Sequence, residues 1–231
     1  MKRFYNEVGI GNEPSGFAVL LDGRPVRTPA RRPLVVATEP LARAVAEEWR
    51  GQGPTIDSDG MRMTRLATTA LDLMPARRPD AVEEVAGYAA TELLCYRADE
   101  PPALAARQAA TWQPWLDWAA RQYDAPLTVA YGIMPVAQPE IALKALRAAV
   151  VRLDDWRLVG LHAATTTLGS LVLGLAVERG ALGSEAALEA ALLDELFEME
   201  QWGEDEEQTR RHARLRADVT AAERFLRALP S

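Results

Sequence analysis

The densest set of groups able to move protons lies at Glu200, Glu204, Asp205 and Glu206. Glu200 with Asp205 or Glu206 has the makings of an acid/base pair of the kind that hydrolyses glycosides. Yet ten acidic residues and no basic ones fall between Gly183 and Thr209, so carboxylate pairs at this spacing arise from density alone. Such a block reads first as a solvated face. The two histidines are too few for a His-plus-carboxylate metal site. His162 sits in an apolar stretch and reads as a hydrogen-bonded core histidine, while His212 lies among arginines. The single Cys95 excludes a disulfide framework and a cysteine zinc site. No Gly-x-Ser-x-Gly elbow or P-loop occurs. Gly9, Gly11 and Gly16 lack the strand–loop–helix order of a phosphate loop, and Pro14 interrupts them. On residue types, the chain reads as a binding protein rather than an enzyme, with no cofactor and no metal.

The acidic groups need a helix to hold them. Leu188, Leu192, Leu196 and Met199 make one apolar row and Leu193 with Phe197 the next. Continuing the second row reaches Glu200 and then Glu204. One unbroken helix over this stretch, capped by Ser184, puts Glu200 at the margin of the buried face, under Trp202 and beside Gly203. A carboxylate there needs a partner.

Before it runs Leu158–Val177, twenty residues without Asp, Glu, Lys or Arg. That is long enough to span a bilayer. Its interior holds His162, Thr165–Thr167, Ser170 and three glycines, and the mean hydropathy of the chain is only −0.13. The stretch therefore reads as the central helix of a helical bundle, its small residues admitting close neighbours.

The rest of the chain supplies the surroundings. Gly16–Leu21 reads as a strand, Asp22-Gly23 as a hairpin turn, Arg24–Pro29 as the return strand, and Leu34–Val36 as a third. Thr38 is a helix N-cap and Gly51 the matching stop. Strand signals end by Gly60, which places a boundary between a domain of residues 1–58 and one of residues 59–231. Helices follow over 64–73, from Pro79 towards Pro101, over 104–123 and over 142–153, with Leu127–Tyr131 extended. Trp112, Trp115 and Trp118 share helix faces, as core pillars or as a partner surface. A net charge of −7 argues against nucleic acid as the main partner. The basic residues are Arg except for Lys2 and Lys144, the mark of a GC-rich coding sequence. MKRFYNEV carries no secretion signal, so the expected location is the cytoplasm.

Five segments in order carry a family resemblance: Val19–Pro29, Glu48–Gln52, Met61–Ala67, Thr91–Ala98 with Gln108 and Trp112, and Phe197–Glu206. On these the chain resembles the assembly chaperones that act on the alpha subunit of the F-type ATP synthase catalytic head. It departs from them at Arg62, Glu92 and Asp205, where the family more often has Pro, Asp and Val. The resemblance implies an α+β protein, with a small N-terminal domain of antiparallel strands and a larger all-helical C-terminal domain. It implies a partner, the unassembled alpha subunit, kept from aggregating until the beta subunit replaces the chaperone. The implied contact residues are Glu200, Trp202, Asp205, Glu206, Trp49 and Arg97, with Trp49 supporting the domain junction. A chaperone of this kind would be a monomer when free and would not span the membrane. The rival reading is a hydrolase-like enzyme using the Glu200–Glu206 carboxylates.

Overall fold

Asp22 and Gly23 take positive φ values of 46° and 76°, the pair of left-handed residues that a two-residue hairpin turn demands. In this computed structural model, which describes residues 1–132, 134–203 and 205–230, the turn joins β2 (Gly16–Leu21) to β3 (Arg24–Pro25). β1 (Val8–Glu13) lies antiparallel to β2 from Val8↔Leu21 to Glu13↔Gly16. The return strand is shorter than the spacing predicts. Pro25 has no N–H to give to a ladder, and β4 (Val35–Val36) takes over pairing with β2 opposite Ala18 and Phe17. α1 (Glu39–Arg50) covers the sheet with Leu41, Ala42, Val45 and Ala46, capped by Thr38 as its sequence indicates.

α2 (Arg62–Asp72) begins where the Glu48 carboxylate accepts the backbone N–H of Met63 (2.6 Å) and of Thr64 (2.8 Å). Two segments of the resemblance therefore meet, the end of α1 capping the start of α2. α2 ends just before Pro75 as the sequence indicates, but the next helix opens there rather than at Pro79. Pro75 sits in the first turn of α3 (Met74–Gly87), where proline is favoured, and Pro79 lies inside that helix. The helix predicted towards Pro101 ends at Gly87 and gives way to 3₁₀ turns over 88–91 and 93–95. β5 (Tyr96–Arg97) then pairs in parallel with β6 (Ala130–Tyr131), a small sheet within the helical part. α4 (Pro102–Tyr123) and α5 (Glu140–Val151) follow.

The uncharged stretch is two helices, not one. α6 (Asp155–Leu168) ends at Gly169, whose φ of 67° suits glycine, and α7 (Leu171–Glu178) restarts behind Ser170. The Ser170 hydroxyl accepts the Leu173 N–H at 3.0 Å as a cap. Among the described residues no helix is long and apolar enough to cross a membrane. All eight residues of α7 are buried, and α6 packs against α2, α3 and the closing helix α10 (Glu206–Arg227). A Cβ on Gly160 would come within 2.5 Å of Leu226 of α10, so the close helix approach depends on that glycine. Between α7 and α10 lie α8 (Ser184–Ala191) and α9 (Leu193–Trp202). Buried side chains from Tyr5 to Leu229 form one continuous core.

Behind the α6–α7 break lies Glu92, fully buried. Its carboxylate accepts the Ser170 hydroxyl, the Val172 N–H at 3.1 Å and the Leu94 N–H at 3.4 Å. Burial pushes this carboxyl up to about 7, with the bonds from Ser170 and the backbone pulling the other way.

Candidate functional site

The apolar row that positions Glu200 is interrupted. Leu192, at φ −96° and ψ 11°, separates α8 from α9 and resets the helical phase. Gly183 rather than Ser184 is the N-cap of α8, and the buried Ser184 hydroxyl donates to Glu223 Oε2 at 2.6 Å. After the reset Glu200 does not lie at the edge of the core. Its side chain is 52% exposed, and Trp202 is 89% exposed, the most open of the large apolar side chains among the described residues.

Glu200 has a partner that local sequence could not supply. Arg107 of α4 donates from both terminal nitrogens, at 2.7 Å to Oε1 and 2.9 Å to Oε2. The same guanidinium lies 5.2 Å from the Phe197 ring centroid. The hydrogen bonds from Arg107 hold the Glu200 carboxyl below its usual range. That is opposite to what a general acid needs. Asp205 caps α10 through the Gln208 N–H at 2.8 Å, and Glu206 pairs with Arg210 one turn on. Each described carboxylate of the suspected acid/base pair is thus already engaged. Glu204 lies outside the described residues.

Nor is the acidic run an open negative face. Arg216 pairs with Glu185 at 2.9 Å, and Arg211 and His212 both reach Glu195. Burial would raise Glu195, but hydrogen bonds from His212 and Arg211 outweigh it and leave the carboxyl low. Arginines of α10 thus pair with one carboxylate on α8, Glu185, and one on α9, Glu195. His162 is likewise not a core residue. It is partly exposed, 3.2 Å from Glu84, at the rim of a separate hollow of about 380 Å³ between α2, α3 and α6.

Beside Glu200 runs a groove of about 450 Å³, walled by α4, α8 and α9. Trp115, Leu193 and Leu196 give it an apolar lining, the Arg107–Glu200 pair lies on it, and Glu189 and Ala186 line it from α8. Under it, Trp112 is 1% exposed and donates from Nε1 to the Ala190 carbonyl at 2.8 Å, tying α4 to α8. Gln108 accepts the Ala98 N–H and donates to Asp194, both at 2.7 Å. The segments of the resemblance around 91–98, 108–112 and 197–206 therefore come together around this groove.

Two residues named with Glu200 lie elsewhere. Arg97 is 3% exposed, an interior side chain donating to the Leu94 carbonyl at 3.0 Å and to Gln113 at 3.3 Å, with its guanidinium 5.7 Å from the Trp112 ring. Its contacts support the groove from behind, and burial pulls its pKa down. Trp49 packs edge-on against Tyr5 at 5.7 Å, and its carbonyl accepts the Tyr5 hydroxyl at 2.7 Å. Its neighbour Glu48 makes hydrogen bonds to the start of α2. Arg107 and Glu189 were missed by sequence reasoning. Arg107 is 93 positions from its partner, and nothing nearby marks it out. Among the described residues no group of three or more His, Cys, Asp and Glu is placed to hold a metal.

Known proteins share this fold. The family model for the ATP12 chaperone protein matches residues 2–120. The crystal structure of Atp12 from Paracoccus denitrificans superposes with a TM-score of 0.92 at 43% identity, covering 98% of this chain and 97% of that one. A point mutant of P. denitrificans Atp12p gives 0.92 at 42% identity over the same shares. Atu1473 from Agrobacterium tumefaciens gives 0.94 at 38% identity, covering 99% of this chain and 86% of that one. With the family model matching more than half its length and a relative above 40% identity solved twice, this chain belongs to the ATP12 chaperone family, the assembly chaperones of the ATP synthase.

Proposed function

We propose that the chain binds the unassembled alpha subunit of the F-type ATP synthase and keeps it from aggregating until the beta subunit takes its place. The contact surface is the end of α9 and the turn into α10, with Glu200, Trp202, Asp205 and Glu206 outward. Arg97 acts from the interior and the half-buried Trp49 from beside Tyr5, each holding its element in place. The observation that carries this reading is Trp202, whose indole is 89% exposed at the end of the helix that presents Glu200. An exposed indole is costly in water and is favoured where a partner will cover it. An orphan alpha subunit has the complementary need, since the surface meant for beta stays open. The chain acts as a monomer in the cytoplasm, as a binder and not a catalyst. A hydrolase role lacks support, because the described carboxylates of the 200–206 stretch are held by Arg107, Arg210 and the α10 cap.

Co-expression with the alpha subunit is the direct test. Soluble alpha and its co-purification should rise well above an empty-vector control, and equal yields would sink the reading. At residue level, Trp202→Ala should weaken the complex by about tenfold or more, the scale of an aromatic hot spot. Glu200→Ala should also weaken it while leaving the thermal midpoint nearly unchanged, because an exposed ion pair adds little to folding. A large drop in midpoint would assign Glu200 to the fold instead.

A further inference from the structure

We infer that the groove between α4 and α8–α9 takes an amphipathic helix of the client, its apolar face on Trp115, Leu193 and Leu196 and a Lys or Arg set opposite Glu189. This rests on the client reading above and goes further, naming the shape and charge of the segment held.

Charge selects the occupant. Of the groups on this groove, Arg107 and Glu200 neutralise each other. Glu189 is exposed and, among the described residues, carries no ion pair, unlike Glu185 one turn before it, which Arg216 holds. The groove thus presents an apolar lining with one uncompensated negative charge, which an apolar segment carrying a cation complements.

Backbone chemistry selects the shape. Helices form the walls, and their N–H and C=O groups bond within their own turns. An extended strand laid in the groove would find no backbone partners and would bury its own polar groups unpaired. A helix brings its backbone bonds with it, and apolar helix faces lie in grooves of this kind. Along α9 from Leu193 to Glu200 the wall runs about 10 Å at 1.5 Å per residue, room for about two turns. The floor is also pinned, since Trp112 fastens α8 to α4 directly beneath it, so the groove exists before the client arrives.

The test uses the full chain with the alpha subunit. Ala186 is exposed and lines the groove, so Ala186→Trp fills it without touching the core. Ala148→Trp, exposed on α5, is the matched control. Ala186→Trp should lower alpha binding by about tenfold or more while Ala148→Trp leaves it unchanged, with equal thermal midpoints confirming that both fold. A benzophenone crosslinker at position 186 should attach to one amphipathic helical segment of alpha bearing Lys or Arg. Glu189→Lys should weaken binding, and the deficit should shrink as salt rises. If the unaltered chain captures alpha and Ala186→Trp captures it equally, or if crosslinks fall on an acidic or extended segment, the groove assignment is overturned while the client reading stands. If the unaltered chain captures no alpha, both fall together.

Discussion

Glu92→Ala should lower the thermal midpoint by about 10 °C, among the largest effects of any single polar substitution in this chain. The change strands the Ser170 hydroxyl and the Val172 N–H in a fully buried site, with the longer bond to Leu94 lost as well. A buried donor left without a partner costs about 1–3 kcal/mol. Two such donors and a small cavity come to about 3–5 kcal/mol, and in a chain of this size 1 kcal/mol moves the midpoint by about 2–4 °C. Scanning calorimetry reads it directly, and a shift under about 3 °C would mean that the donors find other partners. The same residue gives stability a pH dependence. Its carboxyl is raised from 4.5 to about 7 when folded, so between those values the native chain keeps a proton that the unfolded chain has released. The stability this adds is complete below 4.5 and is lost as pH climbs towards and through 7. Glu92→Gln has no such proton. The stability difference between native chain and variant, followed by urea unfolding from pH 4.5 to 7.5, should therefore move against the native chain as pH rises. A flat difference would refute the raised pKa.

Trp112→Ala is the second large effect. The indole is 1% exposed, bonded to the Ala190 carbonyl at 2.8 Å, and beneath the Arg97 guanidinium. Truncating a buried tryptophan costs about 3–5 kcal/mol through lost burial and the cavity it leaves. Trp112→Phe keeps most of the packing and loses the hydrogen bond, for about 1–2 kcal/mol. Urea unfolding midpoints should rank native, Phe and Ala in that order. Trp202→Ala removes the same side chain from an exposed site and should leave the midpoint almost where it was. Thus one tryptophan is needed to fold and the other to bind. If Trp112→Ala were as mild as Trp202→Ala, the link between α4 and α8 would not be what shapes the groove.

What could be read from the sequence was local. Asp22-Gly23 announces its turn and Thr38 its helix, because the side chains that decide those structures are within three residues. The end of α2 before Pro75 was legible, but the start of α3 was placed at Pro79 because proline ends one helix and opens another equally well, and the packing of Met74 into the core puts the start earlier. The break at Leu192 has no glycine or proline to mark it, so the apolar row through Leu196 looked continuous and Glu200 was placed too deep. Gly169 and Ser170 were visible as small residues, but Glu92, which makes their break favourable, lies 78 positions away from Ser170. The Arg107–Glu200 pair was hidden for the same reason. Arg97 defied the general rule that arginine lies outside, since its donors are met by a carbonyl, an amide and an aromatic face.

The interruption at Gly169 also sets the length of the apolar rods in the folded chain. A twenty-residue stretch free of charge is what the machinery that threads helices into bilayers selects for, and ATP synthase is built at a membrane. Shared between a fourteen-residue helix that starts at Asp155 and an eight-residue helix that ends at Glu178, the stretch offers rods of about 21 Å and 12 Å. Neither reaches across a hydrocarbon layer of about 30 Å. Straightening it would pull Ser170 off Glu92 and leave that carboxyl without its cap. The bend thus leaves the most apolar segment of the chain packed as two short helices inside the core.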